Sequence, residues 1–382
     1  MAAALPRLDD LDVAGKRVLI RADLNVPIED GRITDLFRIK AFLPTLERVL
    51  ERGGRAIVCS HLGRPKGPEP KFTLAPVAAA MSQALAGDVP LAIDYEAVPD
   101  VRVTLLENVR FHEGETKNDP AFSAQLCSLA DAYVNDAFGS CHRAHASIVG
   151  PPARLESAAG LLLAREVENL STLLGTPERP YVVVLGGAKV ADKVGVVRNL
   201  LERADKILIG GGMCFTFLKA RGMDVGRSLV DTDAFIEVSS IVWDDKLVLP
   251  SDVVVADSFD ATEARATVPA HSIPPDTLGL DIGPQSADAF ALEIAPAKTV
   301  FWNGPMGVFE KDAFAAGTLT VAQAVADCPG YTATGGGDTA AALASVGLAG
   351  AVDFESTGGG ASLEFLEGKT LPGIAALMRQ ES

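Results

Sequence analysis

The stretch Tyr181 to Lys193 reads YVVVLGGAKVADK. Two lysines, Lys189 and Lys193, follow the glycine pair Gly186 and Gly187. A glycine turn between a strand and a helix bares backbone N–H groups at the positive end of the helix, which suits a phosphate. Lysines four apart share a face if the helix has begun. A tight turn with two solvated lysines fits the same residues, because short Gly-Lys matches are common by chance. Near the other end of the chain, Gly335-Gly336-Gly337-Asp338-Thr339 repeats the pattern. Three glycines let amides approach phosphate oxygens, Asp338 is an acid placed where it could hold Mg²⁺, and Thr339 offers a hydroxyl and an amide. A flexible loop with a helix cap at Asp338 is the alternative, but it has to be met twice.

Cations and their companions gather in the first half. Asp23 and Asn25 follow one apolar run, His61 and Arg64 a second, Arg110 a third, and His142, Arg143 and His145 a fourth. Arginine's planar fork suits phosphate or carboxylate. Turn chemistry accounts equally well for Asp23 and Asn25. Arg38 lies in the first turn of a helical pattern, where a cation opposes the helix dipole, and this favours a functional role for it. The formal net charge is −16. Such a balance argues against nucleic acid and against an anionic membrane, so a local basic cluster calls for a small anionic ligand.

The elements that must position these residues are legible as alternating strands and helices. Apolar runs at Arg17–Ala22, Arg55–Ser60, Val101–Leu106 and Ala132–Asn135 read as strands. Helical patterns begin after Thr34-Asp35, with a kink expected at Pro44, and cover Leu74–Leu85 and Pro120–Ala130. Ala158–Leu174 reads as a connecting helix. Beyond it, strands at Tyr181–Leu185, Lys206–Ile209, Leu247–Leu249, Val253–Ala256, Thr299–Trp302 and Tyr331–Thr334 alternate with helices such as Asp192–Arg203. This alternation predicts an α/β fold with parallel strands whose carboxyl ends gather on one edge, where loops hold ligands. The 382 residues exceed one ordinary core, so two domains are expected.

Several classes are excluded. The five cysteines are scattered and form no CxxC pair, so neither a disulfide framework nor a zinc site is indicated. The first sixteen residues do not read as a signal peptide, and no apolar run is long enough to span a bilayer, so a cytoplasmic protein is the simplest expectation. Gly368-Lys369-Thr370 mimics the end of a P-loop, but Leu363 stands where its first glycine must be. No GxGxxG follows a strand, which counts against a dinucleotide-binding oxidoreductase.

The ordered set RADLNVP (21–27), SHLGRP (60–65), ENVRF (107–111), NDAFGSCHRAH (135–145), LGGAKVADK (185–193), IGGGM (209–213), FWNGPMGVFE (301–310), GGGDT (335–339) and STGGGASLEFLEGKTLPG (356–373) resembles phosphoglycerate kinase. The likeness runs from about Arg17 to Gly373 and departs only at Ala22 and Val109. It implies two lobes, each a doubly wound parallel sheet flanked by helices. The implied division is a phosphoglycerate-binding N-lobe over 1–157, a connecting helix over 158–175 and a Mg-nucleotide lobe over 176–357. Residues 358–382 would form a hinge and return to the N-lobe.

Carried over by that resemblance, Asp23 and Asn25 would orient 3-phosphoglycerate or 1,3-bisphosphoglycerate. His61, Arg64, Arg110 and Arg143 would grip its distal phosphate. Arg38, Lys189 and Gly336 would meet the group in flight. For ATP or ADP the implied contacts are Gly187, Lys193, Gly336, Gly337 and Thr339 on phosphate, Glu310 on ribose, and Gly211, Leu280 and Pro305 around the base, with Asp338 holding Mg²⁺. The resemblance also implies a monomer, closure of the lobes and transfer without a general base. A non-catalytic nucleotide-binding protein on the same fold is the competing reading. It would be expected to lack Arg38, Lys189 or Asp338, and all three are present.

Overall fold

A computed structural model of the chain describes residues 5–378. The chain forms two compact units. One runs to Glu168 and includes the segment from Thr370; the other is Asn169–Lys369.

The first unit is built on β1 (Arg17–Ala22), a short antiparallel hairpin of β2 (Ile28–Glu29) and β3 (Arg32–Ile33), then β4 (Arg55–Cys59), β5 (Leu91–Ala92), β6 (Val103–Leu106), β7 (Ala132–Asp136) and β8 (Glu156–Ala159). Six of them make one parallel sheet in the order β5-β6-β4-β1-β7-β8. Covered on both faces, its central strands read as continuous apolar runs rather than alternating ones. Val18 and Ile20 of β1 pack with Val58, Leu105 and Val134 and with Phe42, Leu46 and Val49 of the helix Phe37–Glu51. Asp35 starts that helix by accepting the Phe37 N–H at 2.8 Å. The helix runs through Pro44 without interruption. Pro44 and Lys40 lie on the exposed face, so the carbonyl that the proline ring leaves without a donor is open to solvent.

The helix expected over Ala158–Leu174 begins later, at Leu161. Ala158 and Ala159 instead belong to β8, at the edge of the sheet beside β7. Gly160 N donates to Asn135 O at 2.8 Å, and Asp136 Oδ1 accepts from the Leu162 and Leu163 amides at 2.9 and 3.1 Å. A buried aspartate thus fixes the first turn one residue after the strand ends. The segment Pro372–Met378 packs on the same unit, where Gly373 N donates to Cys141 O at 2.9 Å.

The second unit contains β9 (Tyr181–Leu185), β10 (Lys206–Ile209), β11 (Leu247–Val248), β12 (Asp252–Ala256), β13 (Ala266–Pro269), β14 (Leu278–Ile282), β15 (Thr299–Asn303), β16 (Tyr331–Gly335) and β17 (Phe354–Ser356). A second six-stranded parallel sheet runs β11-β10-β9-β15-β16-β17. Its core places Val182, Val184, Val300 and Trp302 against Phe290, Val321 and Leu343 from the covering helices. A three-stranded antiparallel sheet, β13-β12-β14, stands beside it with its own small apolar cluster. β13 and β14 have no counterpart in the sequence reading.

Candidate active site

In the first unit the loops after β1, β4 and β6 are tied together before any ligand is considered. Gly63, at φ +62°, sits at the knot. Its N–H donates to Asn25 Oδ1 at 2.8 Å and its carbonyl accepts from Arg110 Nη1 at 2.6 Å. Asn108, fully buried, adds a second tie by donating Nδ2 to Leu62 O and Phe72 O at 2.8 and 3.0 Å. Asn25 therefore has one lone pair of its side-chain carbonyl engaged, and its amide N–H groups remain for a ligand.

Arg38 reaches from the first turn of its helix to Asp23, with Nη1 at 2.6 Å from Oδ2. Burial works against the Asp23 charge, but the Arg38 guanidinium, helped by other nearby groups including Arg21, outweighs it and holds the carboxyl below the ordinary range. The cation that the helix dipole disfavours is thus matched by an anion from the neighbouring loop.

Arg64, Arg110 and Arg143 line one cavity of about 590 Å³, together with Lys66, His112 and His145. Arg64 and Arg143 are exposed, and neither makes an ion pair among the described residues. Burial and the nearby Arg21 both lower the Arg110 value, as expected where cations gather with too little counter-charge. A chain with net charge −16 concentrates unpaired guanidinium groups here. That arrangement can hold a small polyanion by forked hydrogen bonds.

His61 differs from the expectation of a gripping cation. It is 6% exposed and does not line that cavity. Burial pushes its value down to about 3, with Arg21 and Arg110 adding to the fall. At neutral pH it is an uncharged imidazole. Arg21, within the RADLNVP motif, carries no role that the sequence alone assigns. An arginine inside the apolar run of β1, 0% exposed, was the signal, because a buried charge needs partners.

In the second unit the loops at the carboxyl ends of β9, β10 and β15 are stitched edge to edge. Gly186 N donates to Asn303 O at 3.0 Å, Gly187 N to Pro305 O at 2.8 Å and Gly211 N to Met306 O at 2.9 Å. A Cβ at Gly186 would fall 2.1 Å from Pro305 O, so only glycine allows this approach. Gly211 and Pro305 are both buried in this seam. Leu280, on β14, is buried in the cluster with Val254, Ala256 and Phe314. Glu310 is exposed on the turn that follows β15.

Lys193 lies where β9 and β15 end. Its Nζ donates to Gly186 O at 2.7 Å and to Asn303 O at 3.1 Å. Burial lowers its value to about 8, and the carboxylates of Asp338 and Asp192 only partly restore it. The helix after the glycine turn is Val194–Leu201, so Lys189 and Lys193 both precede it and do not share a helical face. Lys189 is exposed on the loop. The two lysines are separated by burial rather than by helical phase.

The helix Gly337–Ser345 follows β16 directly, with Gly336 as N-cap at φ +91°. The amides of Gly337, Asp338 and Thr339 occupy its first turn, where α-helical geometry leaves N–H groups without intrahelical acceptors. The Thr339 hydroxyl is already engaged. It accepts from Gly304 N at 2.7 Å and donates to Gly335 O at 2.9 Å. Of the two groups expected from Thr339, only the amide remains for phosphate. Asn303, missed in the sequence, donates Nδ2 to Gly335 O at 2.6 Å and so fastens β15 to β16 beneath this turn.

Asp338 is exposed at the helix start, near the Lys193 ammonium. Among the described residues no cluster of three or more His, Cys, Asp or Glu forms a metal cage. One carboxylate beside a phosphate-binding turn fits Mg²⁺ that arrives with phosphate oxygens and keeps several waters. Among the described residues no helix is long and apolar enough to cross a membrane.

The phosphoglycerate kinase family model matches residues 8–369. The chain is similar to a phosphoglycerate kinase of Salinispora arenicola, 53% identical over 97% of this chain and 98% of that one. It is also similar to one from Deinococcus radiodurans, 51% identical over 98% and 94% of the two chains. Among solved structures, phosphoglycerate kinase from Coxiella burnetii superposes with a TM-score of 0.91 at 41% identity, covering 99% of this chain and 100% of that one. The enzyme from Pyrococcus horikoshii gives 0.87 at 32% identity, covering 98% of each.

Proposed function

The chain belongs to the phosphoglycerate kinase family, and from that premise we propose how its residues carry out the family's reaction. The enzyme transfers a phosphoryl group between 1,3-bisphosphoglycerate and ADP, giving 3-phosphoglycerate and ATP. The bond from phosphorus to the acyl oxygen breaks as a bond to the β-phosphate oxygen of ADP forms. The acceptor is an ionised oxygen in either direction, so no general base is needed. What the protein must supply is alignment and neutralisation of spread negative charge.

The observation that carries the reading is the convergence of Arg64, Arg110 and Arg143 on one cavity of an acidic chain. These three would hold the distal phosphate of the glycerate. Asp23, the Asn25 amide and neutral His61 would orient its hydroxyl and carboxyl end. Arg38, drawn from its pairing with Asp23, would meet the transferring group. In the second unit Lys193 and the amides of Gly337, Asp338 and Thr339 would bind the nucleotide phosphates. Lys189, exposed on its loop, would act with Gly336 on the group in flight. Glu310 would bond the ribose, and the backbone around Gly211 and Pro305, with Leu280 behind, would border the base. Asp338 would hold Mg²⁺, which supplies further neutralisation when it is bound with the nucleotide.

Water attacks an acyl phosphate, so the proposal includes closure of one unit on the other, with hinges near 158–174 and 356–360. It also takes the enzyme as a cytoplasmic monomer. The test is a coupled assay of ATP and 3-phosphoglycerate consumption with and without Mg²⁺. Turnover that needs all three is expected. Nucleotide binding without turnover would instead favour the non-catalytic alternative, although Arg38, Lys189 and Asp338 are all in place.

A further inference from the structure

We infer that Glu115 and Ser147 are positioning residues for the glycerate site: they orient Arg21, and Arg21 fixes His61 as a neutral hydrogen-bond donor through Nε2. The inference rests on reading His61 as a substrate contact.

The chain of donors can be assigned in only one sense. Arg21 Nη2 lies 3.1 Å from His61 Nδ1. A guanidinium has no acceptor to offer, so Nδ1 must present its lone pair and the ring proton resides on Nε2. Arg21 Nε donates to Ser147 Oγ at 2.9 Å. That hydroxyl can accept because its own proton goes to Glu115 Oε1, 2.7 Å away. The Ser147 amide donates to Glu115 Oε2 at 2.9 Å, so both carboxylate oxygens are satisfied by one residue. Ser147 is held in turn by Tyr133, whose hydroxyl donates to its carbonyl at 2.8 Å.

The burial of this relay makes its order matter. Arg21, Glu115 and Ser147 are all 0% exposed. Arg21 forms no close ion pair among the described residues; Glu115 and Asp23 are the anions whose fields reach it. Burial works against the Glu115 charge, but His145, Arg21 and Ser147 keep its carboxyl below the ordinary range, so the relay ends on an anion. Glu115 also stands 3.6 Å from Nδ1 of His145, a residue on the wall of the arginine-lined cavity. One buried carboxylate therefore connects to the surroundings of the anion site along two routes. The titratable and charged groups that bear on His61 are Asp23, Arg21, Arg110 and Glu115. With Arg21 donating, His61 contributes direction rather than charge.

The experiment uses the full-length enzyme and three variants, Ser147→Ala, Glu115→Gln and Ser147→Thr. Ser147→Ala removes the acceptor for Arg21 Nε, and a hydrogen bond to a charged group makes roughly a tenfold rise in KM for 3-phosphoglycerate the expected effect. KM for ATP should change little, while the buried groups left without a partner should lower the melting temperature by a few degrees. Glu115→Gln should act in the same direction and more strongly, and Ser147→Thr, which keeps the hydroxyl, should restore much of the loss. In nitrogen-15 NMR of the ligand-free enzyme, His61 should be the Nε2–H form with no titration between pH 5 and 8, and Ser147→Ala should give a mixture of tautomers. An Nδ1–H ring or a normal titration in the unmodified enzyme overturns the inference without touching the assigned reaction. Unchanged KM for 3-phosphoglycerate in both Ser147→Ala and Glu115→Gln also overturns it. So does a parallel rise in both KM values with a matching fall in melting temperature, which would mark a purely structural role.

Discussion

Raising the pH from 7 to 9 should weaken Mg-ADP binding about tenfold through Lys193 alone. In the free protein the ammonium sits among carbonyls at the ends of β9 and β15, and burial lowers its value to about 8. In the proposed complex a bound phosphate chain would supply the missing counter-charge and return the lysine toward the ordinary value, 10.5. Binding then requires the protonated form. At pH 7 roughly a tenth of the free protein must take up a proton to bind, at pH 8 about half, and at pH 9 about nine-tenths. The same displacement contributes to folding with the opposite trend. The free folded state binds fewer protons than the unfolded chain between about 8 and 10.5, so this residue adds up to ~3 kcal/mol of stability as pH rises through that window. The assay is titration calorimetry with Mg-ADP at pH 8 in buffers of different ionisation enthalpy, where the slope gives protons taken up. About half a proton is expected for the unmodified enzyme and close to none for Lys193→Met. Zero uptake in the unmodified enzyme, or equal uptake in both proteins, would refute the reasoning.

Arg38→Ala should lower kcat by orders of magnitude while nucleotide affinity stays nearly intact. Steady-state kinetics with an unchanged kcat would remove Arg38 from the transferring group. Asp338→Ala should weaken Mg-nucleotide binding and spare 3-phosphoglycerate, and equal weakening of both ligands would sink the assignment of Asp338 to the metal. Asp136 caps the helix Leu161–Leu174 from a buried site that raises its carboxyl to about 7. Its folded form holds a proton that the unfolded chain has lost, so stability should fall by up to roughly 4 kcal/mol as pH rises from 4 to 7. Thermal melts of Asp136→Asn should show a flatter pH profile over that range, and parallel profiles would contradict the shift.

Strands buried on both faces announce themselves. Arg17–Ala22 and Tyr181–Leu185 were read from apolar runs to the residue. Their alternation with helices was enough to place the ligand loops on one edge. β8 escaped because Glu-Ser-Ala-Ala has no β-branched or aromatic residue, and its strand geometry comes from pairing with β7 at the sheet edge. β13 was hidden for a different reason: it is four residues long, ends in a proline and is mostly exposed. The site was legible in its residue types and less so in their states. No spacing rule tells that the Thr339 hydroxyl is engaged by Gly304 and Gly335, since that depends on how closely β15 and β16 lie. The tautomer of His61 likewise follows from Arg21, forty residues earlier in the chain, a pairing that exists only because β1 and β4 lie side by side.

The knot at Gly63 has a consequence for the thermodynamics of substrate capture. A free arginine side chain gives up about 2 kcal/mol of rotamer entropy when a ligand immobilises it. Arg110 has already lost much of that freedom, because its Nη1 is fastened to the Gly63 carbonyl while Asn25 holds the Gly63 amide. The ordering cost falls on folding, where a whole core shares it, rather than on each encounter with substrate. Arg64 and Arg143, exposed and without such ties, can capture an anion over a wider range of approach. In the proposed glycerate site, one pre-ordered guanidinium would set register and two adaptable ones would close on whatever it has caught.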